Sequence, residues 1–78
     1  MIEPRERARM MQAYSIGPRM IHYLEEIGIE RLEDLVGAAP GEIAMRIDIS
    51  SGRRPLTRLG HAAIRNLIEL ANRECAPP

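Results

Sequence analysis

The sequence predicts a small all-α domain of four to five short helices, and three observations carry that prediction. Apolar residues recur at helical spacing in two long stretches. Prolines stand where helices would start, and glycines stand where they would stop. The strand signal is poor, with few β-branched alternations and neither an Asn-Gly nor an Asp-Gly pair to turn a hairpin.

The first helix is predicted over residues 4–13. Pro4 suits the opening position, where its missing N–H has no helical partner to lose. The run Ser15-Ile16-Gly17 breaks the helix, and Pro18 opens a second one over residues 18–27. Met20, Ile21, Leu24 and Ile27 form its apolar stripe, with Arg19, His22, Glu25 and Glu26 on the other faces. Gly28 tolerates a left-handed conformation and stops the helix. Ile29 turns back to the core, and a short third helix is predicted over residues 30–36, with Leu32, Leu35 and Val36 inward and Gly37 at its end. Pro40 starts a fourth helix, in which Ile43, Met45 and Ile47 supply apolar contacts. Ser50 to Pro55 is the clearest loop. The last helix is predicted from position 56 or 57 to 73, with Leu56, Leu59, Ala63, Leu67, Leu70 and Ala71 on one face. Arg58, His61, Arg65, Glu69 and Asn72 line its polar face. Gly60 weakens its first turn, and the tail 76–78 is expected to fray.

Length and composition bound what such a chain can do. At 78 residues it is one domain, 1–78, with a stability of a few kcal/mol. An apolar fraction of 45% supports a folded core and argues against disorder. There is no Phe or Trp, so Ile, Leu, Met, Val and Ala must build the core, with Tyr14 and Tyr23 at its edges and the five Met as filler. The single cysteine, Cys75, sits near the end, is expected to be exposed, and forms no disulfide framework. A reducing, cytoplasmic compartment fits it best. The opening residues hold no apolar run of the secretory kind, and no stretch approaches a membrane span.

Formal net charge is zero, which argues against strong non-specific nucleic-acid binding through bulk charge. The sum conceals a pattern. Residues 1–24 carry four Arg and two Glu, residues 25–48 carry two Arg and seven acids, and residues 49–78 carry five Arg and two Glu. The acidic band Glu25, Glu26, Glu30, Glu33 and Asp34 reads as a solvated face. Metal and catalytic chemistry find no foothold. One Cys and two distant His do not make a zinc site, no nucleophile has a base and an orienting group, and Glu42 and Asp48 are not marked as an acid–base pair. The expectation is a non-enzyme without metal or cofactor.

The informative segment is Ser15-Ile16-Gly17-Pro18-Arg19-Met20. A helix must stop, reverse and restart within about three residues. Gly17 is expected to supply the backbone freedom and Ile16 to anchor the turn. Restarting at Pro18 leaves the N–H groups of Arg19 and Met20 without helical partners, at the positive end of the helix dipole. Those donors, with the Arg19 charge beside them, suit an anion such as a backbone phosphate, a contact that carries no sequence information.

This segment resembles the turn of helix-hairpin-helix proteins, which usually reads Gly-hydrophobic-Gly, often followed by Pro and a basic residue. The succession continues with Ile27-Gly28-Ile29, Leu32-Glu33-Asp34-Leu35 and Pro40-Gly41-Glu42-Ile43. Across about residues 12–72 the order is similar to the small bacterial family labelled pathogenicity-locus or mitomycin-resistance proteins. The C-terminal domain of TfoX-type competence regulators is a looser relative. The chain departs from the pattern in having Ser15 for the first Gly and Arg54-Pro55-Leu56 for the family's Asp-Pro-Cys. The resemblance implies a paired helix-hairpin-helix or SAM-like fold. It also implies weak, sequence-independent DNA binding through Ser15, Ile16, Gly17, Arg19 and Met20, assisted by Arg53, Arg54, Arg58 and Arg65. The alternative from the same fold is a protein-interaction module, docking a protein partner or a second copy, and neither reading involves a membrane.

Overall fold

The computed structural model describes residues 1–13, 16–52 and 56–75. Helix α1 spans Pro4–Met10, α2 spans Pro18–Glu26, α3 spans Pro40–Ser51 and α4 spans Arg58–Cys75. A 3-10 turn, Leu32–Leu35, lies between α2 and α3. Among the described residues there is no strand, so the all-α class holds.

Proline stands at the first position of α1, α2 and α3, as the spacing predicts. Gly28 adopts φ 88° and closes α2. The Gly28 amide donates to Glu25 O at 3.1 Å and the Ile29 amide to Leu24 O at 3.0 Å, which satisfies carbonyls the helix would leave orphaned and turns Ile29 into the core.

Several boundaries differ from expectation. Helix α1 ends at Met10 rather than 13, because Gln12 and Ala13 tighten into bonds onto Arg9 O and Met10 O. The third helix is a single 3-10 turn: four residues between two glycine-containing turns cannot complete the helical ladder. Helix α3 runs through Ser50 and Ser51, and the left-handed Gly52, at φ 64°, ends it. The tail 76–78 and Tyr14 lie outside the described residues.

The core gathers Met10 of α1, Met20, Ile21 and Leu24 of α2, Leu32 and Leu35 of the 3-10 turn, Ile43 and Ile47 of α3, and Ile64, Leu67 and Ile68 of α4. Helix α4 packs on α3 and on the 3-10 turn, α2 packs on α3, and α1 packs on the 3-10 turn. Three apolar expectations are corrected. Met45 is 56% exposed, on the side of α3 turned from the core. Leu59 is 74% exposed, whereas Ile64 and Ile68, absent from the expected stripe, are buried. Each step of four residues turns the helix by about 40°, so the row 59–63–67 drifts until its first member leaves the seam. The Met filler reading holds for Met10 and Met20 alone, since Met1, Met11 and Met45 are exposed.

Side-chain carboxylates tie the elements together. Glu6 of α1 accepts the Leu32 amide at 2.9 Å and Arg9 Nη1 at 3.3 Å. The Leu32 hydrogen bond, more than Arg9, holds the Glu6 carboxyl below its ordinary value of 4.5. A depressed folded-state value stabilises the fold above 4.5, and that contribution is lost as pH falls through the folded-state value. Glu6→Ala is therefore expected to lower stability by about 1 kcal/mol at neutral pH. The gap from wild type should close in acid. Thermal melts at neutral pH and near pH 3 check this, and a gap unchanged between them would overturn it.

Candidate nucleic-acid interface

The α1–α2 turn brings Ile16, Gly17, Arg19 and Met20 to the head of α2. Ile16 is buried, as an anchoring side chain must be. Met20 is buried as well, so only its backbone can meet a ligand. The first amide of α2 to close a helical bond is that of Ile21, onto Gly17 O at 3.2 Å. The amides of Arg19 and Met20 precede it.

Gly17 corrects one expectation. Its φ is −121° and its ψ is 179°, extended backbone open to any residue, so the turn does not require glycine for its dihedral. A Cβ built there would also meet no described atom within 4 Å. Neither backbone strain nor packing among the described residues calls for glycine, and what it leaves is main chain without a Cβ at the head of a helix.

Arg19 is exposed on the first turn of α2, and Arg58 and Arg65 are exposed on α4. Among the described residues none of the three has a carboxylate partner. Arg58 and Arg65 are seven residues apart, hence on one face and about 10 Å apart along the axis, with the exposed His61 between them. The links between helices place Arg58 away from Arg19. Asp48 Oδ1 accepts the Leu56 amide at 3.0 Å, which holds the approach to α4 beside the second half of α3. That half is bonded in turn to the C-terminal end of α2, through Arg46 Nη2 to Ile27 O at 2.6 Å and Ser50 Oγ to Glu26 Oε2 at 3.2 Å. Arg19 stands at the other end of α2. Ser15, Arg53 and Arg54 lie outside the described residues.

The acidic band is exposed as expected at Glu26, Glu30, Glu33 and Asp34, with Glu25 half-buried, and its carboxylates also serve as fasteners. Glu25 Oε2 accepts the Ile2 amide at 2.7 Å, and Asp34 Oδ2 accepts the amides of Glu30 and Arg31 at 3.1 and 3.0 Å. Glu26 pairs with His22 Nε2 at 2.7 Å, and Glu33 pairs with Arg31 at 2.9 Å. Glu25 and Glu26 lie in the last turn of α2, where the helix dipole disfavours carboxylates. Their tertiary partners offset that penalty. Cys75, expected to be exposed, is half-buried and accepts Arg9 Nη2 at 3.2 Å.

One feature of the site escaped sequence reasoning. A cleft of about 420 Å³ opens between α1 and α2, lined by Arg7, Met11, Pro18, Ile21, His22 and Glu25. Arg7 and Met11 are four residues apart, as are Pro18 and His22. The spacing puts each pair on one helix face, but only the angle of the turn sets the two faces opposite each other. Among the described residues no group of three or more His, Cys, Asp or Glu could hold a metal ion. No described helix is long and apolar enough to cross a membrane.

Comparison with family models, with curated proteins and with solved structures finds no match.

Proposed function

We propose that the α1–α2 turn is a weak, sequence-independent grip for nucleic-acid backbone, DNA in the first instance, of the helix-hairpin-helix kind. The observation that carries the reading is the head of α2, which is open among the described residues. Gly17 is demanded by neither its dihedral nor packing among the described residues, and the amides of Arg19 and Met20 follow it at the positive end of the helix. Arg19 adds a charge without a carboxylate partner among the described residues. In this reading Arg53, Arg54, Arg58 and Arg65 assist by long-range attraction of the polyanion, since Arg58 stands away from the contacts made at Arg19. The protein is then a binding module and not an enzyme, working in a reducing cytoplasm that suits its single cysteine. Two or three phosphate contacts correspond to a salt slope of about −2 to −3 and an affinity in the range of about 10⁻⁴–10⁻⁶ M.

NMR titration with duplex and single-stranded DNA at low salt tests the reading. Amide shifts are expected at Ile16, Gly17, Arg19 and Met20. Arg19→Glu should weaken binding roughly tenfold, by deleting one cation and repelling the phosphate. Gly17→Ala should weaken binding while changing stability by less than about 1 kcal/mol, since its dihedral suits alanine. No shifts at sub-millimolar DNA would overturn the proposal. That outcome would favour the second reading, a protein-interaction module, which Met45 and Ile49 support as exposed apolar neighbours on one face of α3.

A further inference from the structure

We infer that the cleft between α1 and α2 seats an unpaired nucleobase, so that the strand gripped at the head of α2 is single-stranded or a strand end. The inference rests on the backbone-grip reading and adds to it which form of nucleic acid is held. Pro18 belongs to both features: it is the first residue of α2 and part of the cleft wall. A phosphate at the Arg19 and Met20 amides therefore leaves the attached nucleoside at the mouth of the cleft.

The cleft has the chemistry of a base site. Met11, at the C-terminal cap of α1, and Pro18 and Ile21 of α2 supply apolar surface. The His22 ring stands at its edge, held by its Nε2 at 2.7 Å from Glu26, and offers a flat partner for stacking. Arg7 stands on the α1 side without a carboxylate partner among the described residues, so a guanidinium is available to the base or its phosphate. The one acid in the lining, Glu25, has an oxygen engaged by the Ile2 amide at 2.7 Å. The volume of about 420 Å³ falls within the usual range for small-ligand sites, about 300–1,000 Å³. A duplex presents phosphates outward but keeps its bases stacked inside, so it reaches the helix head and leaves the cleft empty. A single strand reaches both.

The test uses the full chain labelled at backbone and histidine-ring nitrogens and at methionine methyl groups. It is titrated at neutral pH with a short oligothymidylate and with a blunt G·C-rich duplex of equal length. The oligothymidylate is expected to shift the Met11 methyl and the His22 ring together with the amides of Gly17, Arg19 and Met20. It should bind about three- to tenfold tighter than the duplex, the gain from one stacked base on a modest platform. His22→Ala and Met11→Ala change exposed side chains and should each remove that preference, leaving duplex affinity within about twofold. Equal affinities with Met11 and His22 unmoved would overturn the cleft assignment and leave the backbone grip standing. So would a single-strand preference that survives both substitutions. No binding of either nucleic acid would overturn both proposals.

Discussion

Ile2→Ala is expected to lower the stability of the domain by about 2–4 kcal/mol, the usual loss for emptying a fully buried Ile site. Ile2 is 0% exposed, although it precedes the first helix. It is held there by more than its side chain, since its amide donates to Glu25 Oε2 at 2.7 Å. The segment before α1 thus docks across α2, and the carboxylate that receives it comes from the acidic band. A domain of this size unfolds with a modest total free energy, and each kcal/mol moves Tm by about 4–8 °C. Ile2→Ala should therefore melt roughly 8–32 °C below wild type. Glu3→Ala, at an exposed neighbour, should stay within a few degrees. Parallel thermal melts followed by far-UV circular dichroism decide it. Equal melting of the two variants would show that the segment is undocked in solution.

What the sequence made legible were features written locally. The stripe Met20, Ile21, Leu24 follows from helical period, the starts at Pro4, Pro18 and Pro40 from proline's fixed φ, and the stop at Gly28 from its left-handed backbone. What stayed hidden depends on partners far along the chain. Ile2 stands beside Met1 ahead of a charged stretch, with no helical period to mark it as core, and its amide finds its partner in Glu25, twenty-three positions away. Glu6 reads as one more charged residue of α1, yet it caps the amide of Leu32. In the candidate site the order of residues around Gly17 was legible, but the reason for the glycine was not. An extended φ shifts the explanation from backbone freedom to open approach. The cleft beside it was hidden because it requires the angle between two helices, and residue spacing within either helix does not encode that angle.

The second large effect is expected from Ile64→Ala, and its contrast with Leu59→Ala tests how α4 is seated. Both residues are apolar and lie in the first half of the same helix. The stripe read from the sequence included Leu59 and omitted Ile64, whereas Ile64 is 1% exposed and Leu59 is 74% exposed. Helix α4 packs against both α3 and the 3-10 turn, so its buried face is wide: Ala63, Ile64, Leu67, Ile68, Leu70 and Ala71 all fall within it. Ile64→Ala should then lower stability by about 2–4 kcal/mol. Leu59→Ala should change it by less than about 0.5 kcal/mol, as at other surface positions. Urea titrations of both variants measure this through the midpoint, with the slope m unchanged if the unfolded ensembles are alike. Were Leu59→Ala the more damaging, α4 would be rotated on its axis from the seating described. Arg58 and Arg65, seven residues apart and on one face, would then turn with it, and the basic stripe would face a different direction relative to the head of α2.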